Sequence, residues 1–276
     1  MPNPNERIAQ HYGSAGLAER IISALERDGK DLNVLTIEDL APVDQFHTRG
    51  LAATRELIRL ADVNPGARVL DVGSGLGGPA RALASEKKCH VTGIDLTREF
   101  CEVATLLSRL TRLEQLTDFR NGDATALPFA ADEFDLVLTM QIQMNIEHKR
   151  RFYAEIFRVL KPGGRFIFQD VMAGAGGEIH LPVPWATRPE SSFLISVESL
   201  RETLKQTGFQ IDLLEDTSDE ALAWRKNQPG AAGLVQSTLG MHIVMGDQYS
   251  LMQANQVQNL EERRVAYVRG AAGKPA

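Results

Sequence analysis

The stretch Ala67-Arg68-Val69-Leu70-Asp71-Val72-Gly73-Ser74-Gly75-Leu76-Gly77-Gly78 decides the fold. Val69, Leu70 and Val72 make the short apolar run that a central parallel strand requires, because such a strand is covered on both faces. Gly73, Gly75, Gly77 and Gly78 then let the backbone turn sharply and approach a ligand that side chains would hold off. A strand running straight into a glycine-rich turn predicts a ligand cradle.

Downstream, Pro79 to Ser85 reads as a helix whose free N-terminal amides face the ligand, and Cys89 to Asp95 as the next strand. Asp95 follows Gly75 by roughly 20 residues, the spacing at which an acidic side chain meets ribose hydroxyls, so the cleft is expected to hold an adenosine. A helix over Arg98 to Leu110, a short strand over Asp118 to Arg120 and the turn Asn121-Gly122-Asp123 continue the alternation. Strands over Phe134 to Met140 and Gly164 to Val171 flank a helix over Lys149 to Leu160. Ser196 caps a helix that Gly208 ends, Phe209 to Leu213 alternate as a strand, and Val265 to Val268 form an antiparallel last strand. The expected class is α/β: a Rossmann-like, doubly wound, mostly parallel seven-stranded sheet with helices on both faces.

Upstream, Leu17, Ile21, Ile22 and Leu25 recur at helical spacing until Asp28-Gly29, residues 39–50 read as a loop, and Leu57, Ile58 and Ala61 share one face of a second helix. Residues 1–50 are therefore expected to form a helical cap over the active site, and residues 51–276 the Rossmann-like domain. Two insertions interrupt that domain. One covers about 172–195, rich in Gly and Pro and carrying His180 and Trp185; the other covers about 218–262 and is polar and helical in character.

Composition narrows the function. The chain has 276 residues, 43% of them hydrophobic, enough for a large core, and a net charge of -6 without the basic footprint that a nucleic-acid backbone demands. Cys89 and Cys101 fit neither a disulfide framework nor a metal spacing. No apolar signal core opens the chain and no apolar run approaches a membrane span, so a cytoplasmic protein is expected. The expected partner is a small molecule, with no nucleic acid, membrane or metal, and a homodimer is left open.

Gly73, Gly75 and Gly78 alone satisfy the pattern of dinucleotide enzymes as well as other adenosine sites. Asp71-Val72-Gly73-Ser74-Gly75-Leu76-Gly77, Asp95, Gly122-Asp123-Ala124 and Leu160-Lys161-Pro162-Gly163-Gly164-Arg165 together resemble the class I S-adenosylmethionine-dependent methyltransferases. Tyr12-Gly13, Phe46 to Gly50 and Gln141 to Asn145 are similar to the branch containing sarcosine/dimethylglycine N-methyltransferases and quinone C-methyltransferases. The resemblance implies S-adenosylmethionine as cofactor, with Gly73, Ser74, Gly75 and Gly77 around its methionine part and Asp95 on the ribose. It implies Asp123 on the adenine amino group, Leu96 and Ala124 beside the ring, and Gln141 and Tyr12 at the amino-acid end. His47, Gln143, Met144, His180 and Trp185 would then line the acceptor pocket.

A sulfonium methyl is already activated, so positioning for in-line displacement is expected to suffice. An amine brings its own lone pair, whereas a hydroxyl needs a base, for which His47, His180 and Asp170 are the candidates, scattered rather than paired as a relay. The expected acceptor is an amine; a quinol or phenol methylated at carbon or oxygen is the alternative, and a non-catalytic cofactor-binding module a distant one.

Overall fold

In the computed structural model, which describes residues 16–227 and 238–276, one sheet of seven strands organises the chain. The strands are β1 (Arg68–Val72), β2 (His90–Asp95), β3 (Thr117–Asn121), β4 (Phe134–Met140), β5 (Leu160–Ala173), β6 (Gln210–Asp216) and β7 (Val265–Gly273). They stand in the order β3-β2-β1-β4-β5-β7-β6. The first five pair in parallel, and β7 lies antiparallel between β5 and β6. The last strand is longer than the apolar run suggests, reaching Gly273, because its small residues Gly270, Ala271 and Ala272 still pair across to Phe166, Ile167 and Phe168.

Period-two alternation sends each strand's side chains to two cores. Leu70, Val72, Val137, Phe166 and Phe168 face α6 (Lys149–Val159) and α7 (Val197–Thr207), whose Phe152, Ile156, Leu200 and Leu204 are buried there. Val69, Leu136, Leu138 and Ile167 face α3 (Gly50–Leu60) and α4 (Gly78–Lys87), through Ala53, Leu57, Ala80 and Leu83. Each large aliphatic side chain buried this way contributes about 1.5–3 kcal/mol.

A third core joins α1 (Leu17–Arg27) and α2 (Ile37–Asp44) to α5 (Arg98–Leu110): Leu17, Ile21, Leu25, Leu40 and Val43 pack with Phe100, Val103 and Leu107. The expected loop over 39–50 is thus corrected at its start, where a helix runs to Asp44. Its start signal lies upstream of that window: the Thr36 hydroxyl accepts from the Asp39 amide at 3.2 Å, and the Asp39 carboxylate accepts from the Thr36 amide at 2.9 Å. Burial of Leu40 and Val43 then holds a helix that contains Pro42.

The two insertions meet at the carboxyl end of β5. Residues 218–262 supply α8 (Ser218–Lys226), α9 (His242–Met245) and α10 (Tyr249–Glu261). The amides of Gly174 and Gly176 donate to the carbonyls of Arg264 and Arg263, at 2.9 and 2.8 Å, which lays the first insertion along the turn between α10 and β7. Trp185 then packs with Met144, Val171, Leu260 and Tyr267. Among the described residues no helix is long and apolar enough to cross a membrane.

Candidate ligand-binding site

Neighbouring strands leave β1 in opposite directions, toward β2 and toward β4, and open α/β sheets bind ligands outside the strand carboxyl ends at such a switch point. A cavity lies there, about 1110 Å³ when the open solvent at its mouth is included.

The glycine turn forms its floor. Gly73 has a φ of 76°, and a side chain on it would meet Ile142 Cδ1 at 2.4 Å, so this position requires glycine. The amides of Gly73 and Ser74 both donate to the Ile94 carbonyl, which fastens the turn to β2. At Gly75 the φ is 51°, yet an added Cβ would touch only the Phe46 ring, at 3.6 Å. Arg81 braces the turn from behind. Its Nη2 donates to the Leu76 carbonyl at 2.6 Å and to Asp44 Oδ2 at 2.7 Å, in a fully buried ion pair.

The acidic residues sit on successive strand ends. Asp95 Oδ2 accepts from the Gly75 amide and Oδ1 from the Thr97 amide, each at 2.9 Å. A carboxylate has about four lone-pair sites, so these two bonds leave capacity for a ligand's hydroxyls. Asp123 follows β3, with Oδ1 accepting from the amide and hydroxyl of Thr125 at 2.7 and 2.8 Å, and Leu96 and Ala124 flank the same part of the wall. Burial, with Asp95 as a like-charged neighbour, pushes Asp71 up to about 8, and burial also raises Asp95.

Gln141 closes the floor beyond β4. It holds a φ of 53°, costly for a residue with a side chain, while its amide donates to the Gln169 carbonyl at 2.7 Å. Four buried polar atoms of residues that line this cavity, Asp44 Oδ1, Asp71 Oδ2, Ser74 Oγ and Gln141 Nε2, have no hydrogen-bond partner among the described residues. Unpaired buried polar atoms are expensive, and four of them around one cavity mark where a polar ligand docks. An acceptor at Asp71 and donors at Ser74 and Gln141 match the ammonium and carboxylate of an amino acid. The donor set therefore fits the methionine end of S-adenosylmethionine.

Most of the residues expected from sequence meet this cavity: Gly73, Ser74, Gly75, Asp95, Leu96, Asp123, Ala124 and Gln141, together with His47, Met144 and Trp185. Three lie elsewhere. Gly77 is outside the cavity's lining, and a Cβ on it would clash with Phe119 Cζ at 2.5 Å, so it serves packing. Gln143 is fully buried behind the wall, its side-chain amide donating to the Val171 carbonyl and its backbone amide to Asp170 Oδ1. His180 docks on α10, with its amide donating to Asn259 Oδ1 at 2.7 Å and Nε2 placed 2.8 Å from Glu262. Tyr12 falls outside the described residues. Sequence reading passed over Asp71, Phe46 and Met245 as wall residues. A carboxylate inside an apolar strand was a signal for Asp71; nothing in its own segment marks Met245.

His47 is buried beneath the cavity's edge. Its Nε2 donates to the Gly50 carbonyl at 2.9 Å and lies 2.9 Å from Thr54 Oγ1, and burial drives the imidazole down to about 4. The ring is therefore neutral at physiological pH, with its lone pair on Nδ1. Among the described residues no three His, Cys, Asp or Glu side chains are placed to share a metal ion.

Residues 70–168 match the family described as a methyltransferase domain. The chain is 28% identical over 228 residues to a glycine/sarcosine/dimethylglycine N-methyltransferase of Actinopolyspora halophila, covering 79% of this chain and 40% of that one. It is 28% identical over 246 residues to the methyltransferase GfsG of Streptomyces halstedii, with 86% of this chain and 84% of the relative covered. A solved structure of Haemonchus contortus phosphoethanolamine N-methyltransferase 2, in complex with phosphomonomethylethanolamine and S-adenosylhomocysteine, superposes with a TM-score of 0.74 over 100% of this chain and 61% of that one. At 20% identity this is a likeness of fold. The chain thus spans well under half the length of the first of these relatives. With the glycine turn, the acids after β2 and β3 and the unpaired floor atoms all at one switch point, residues 70–168 match a methyltransferase domain, and the chain is similar to S-adenosylmethionine-dependent methyltransferases of small molecules.

Proposed function

We propose that the chain transfers a methyl group from S-adenosylmethionine to a small amine. The observation that carries the cofactor half is the trio of unpaired polar atoms on Asp71, Ser74 and Gln141 beside the open Gly75 backbone. When bound, the cofactor supplies a methyl group activated by the sulfonium charge. Asp95 takes the ribose hydroxyls, while Asp123, Leu96 and Ala124 hold the adenine. Asp71 accepts from the ammonium, and Ser74 and Gln141 donate to the carboxylate. The described part of the first 50 residues, from Gly16 on, acts as a cap over the methionine end, and the segment 172–193 serves with it to exclude water.

The acceptor half rests on His47. A base near pKa 4 is poorly matched to a phenolic proton near pKa 10, whereas a neutral amine needs no proton removed before attack. His47 therefore positions rather than deprotonates, and Met144 and Trp185 enclose the acceptor. Calorimetry with S-adenosylhomocysteine, followed by a screen of amines, phenols, quinols and thiols with methyl-labelled cofactor, tests both halves. Transfer confined to phenols, and abolished by His47→Asn, would replace the amine with a hydroxyl acceptor. Binding without transfer to any extract component would leave a cofactor-binding module.

A further inference from the structure

The acceptor wall has a charge pattern that selects the acceptor's body. Besides the acidic strand ends, the cavity is lined by residues 140–142 and 144–146 of the segment 140–146, Pro184, Trp185 and Met245. None of these residues has an ionisable side chain: the first segment reads Met-Gln-Ile-Gln-Met-Asn-Ile. Of its polar side chains, Gln141 carries the unpaired amide already assigned to the cofactor's carboxylate, and the Gln143 amide donates to the Val171 carbonyl. Asn145 Nδ2 donates to the Trp185 carbonyl at 2.8 Å, and Trp185 Nε1 donates to Ser192 Oγ at 3.0 Å. Lys149 is the cation directly behind this wall, and its ammonium is spent on the carbonyls of Ile146 and Phe193. Arg81 is fully buried and bound to Asp44 and Leu76. No lysine or arginine is among the described residues that line the cavity, whereas Asp71, Asp95 and Asp123 are, as is Asp44 in its ion pair with Arg81.

We infer that the acceptor is an uncharged, mainly apolar molecule bearing neither phosphate nor carboxylate, held against Met144, Ile146, Trp185 and Met245. This rests on the cofactor reading above and specifies the other half of the same cavity. Among the described residues, a phosphate or carboxylate placed against this wall would give up its water, meet no cation and no donor beyond those of Ser74 and Gln141 assigned to the cofactor, and share the cavity with Asp95 and Asp123. A neutral body loses nothing of that kind. It buries apolar surface on a tryptophan face and on methionines, whose unbranched thioethers adapt to irregular shapes. The amine nitrogen is then carried as a lone pair on an apolar frame, unlike phosphoethanolamine or sarcosine.

The test uses the whole protein saturated with S-adenosylhomocysteine and titrated with N-phenyl-1-naphthylamine, a neutral amine that fluoresces in apolar surroundings. A saturable rise that about 10 mM phosphoethanolamine or sarcosine fails to displace supports the inference. No saturable rise, or displacement by either anionic compound below about 1 mM, overturns it. Ile146→Arg should weaken the probe by about tenfold or more with calorimetric S-adenosylhomocysteine affinity retained, and Met245→Arg gives the same reading should the first variant not fold. Unchanged probe affinity in a variant that still binds S-adenosylhomocysteine places the probe elsewhere and also overturns the inference. Absence of S-adenosylhomocysteine binding in the unmodified protein is a different failure, since it removes the cofactor reading itself.

Discussion

The backbone amide of Gly75 donates to Asp95 Oδ2 at 2.9 Å, so the glycine turn after β1 and the acid at the end of β2 hold each other in place. Asp95 therefore has two tasks, and its substitutions should separate them. Asp95→Ala is expected to weaken S-adenosylhomocysteine binding by ~1.5–3 kcal/mol, about 10- to 150-fold, and to lower the melting temperature of the free protein as well. Asp95→Asn keeps an acceptor oxygen for the Gly75 amide and should restore most of the stability but less of the affinity. Calorimetry and thermal melts on both variants check this; full affinity in Asp95→Ala would remove the residue from the site.

The two glycines of the turn should fail in different ways. An alanine at Gly73 meets Ile142 at 2.4 Å, so Gly73→Ala is expected to destabilise the fold by ~1–3 kcal/mol. An alanine at Gly75 finds the Phe46 ring at an ordinary contact distance, so Gly75→Ala bears only the left-handed backbone strain, about 1–2 kcal/mol. Its methyl group enters the cavity, and a larger loss should appear in cofactor affinity. Denaturant midpoints set beside binding constants would show the split.

Asp71 makes binding depend on pH. Its carboxyl group, raised to about 8 by burial and by Asp95, is protonated in the free protein at neutral pH. A cationic ligand favours the ionised form, so affinity should rise with pH up to about 8, and binding should release a proton below that value. Calorimetry in buffers of different ionisation enthalpy measures the release. Asp71→Asn should flatten the profile, and an unaltered slope in that variant would count against the assignment.

His47 predicts an acid-sensitive fold. Its folded pKa, about 4, lies below the ordinary value of 6.5. The corresponding stability is fully present above pH 6.5 and is lost as pH falls through 6.5 toward 4, up to ~3 kcal/mol at the low end. His47→Asn should melt at nearly the same temperature at pH 7 and pH 4.5 relative to its own maximum, while the parent protein loses stability over that interval. A parallel loss in both proteins would show that other groups control the acid limb.

What the sequence alone determined is local. An apolar run followed by glycines fixes a strand and a left-handed turn, because the φ of 76° at Gly73 is one that residues with side chains rarely adopt. The alternation after it fixes a mostly parallel sheet, and the acid after the next strand falls at the crevice because strand, turn and helix have set lengths. Tertiary structure decided the rest. His180 and Trp185 share one insertion, yet the first is drawn to Asn259 and Glu262 on α10 while the second reaches the cavity, since contacts with distant residues set each position. Arg225 Nη2 donates at 2.6 Å to Thr48 Oγ1, a partner 177 residues away, and so links α8 to the loop that bears His47. Met245 joins the wall only because α9 packs beside α1. Periodicity and capping report what neighbours along the chain prefer, while a cavity wall is assembled from whatever the core brings together, so no local pattern could announce it.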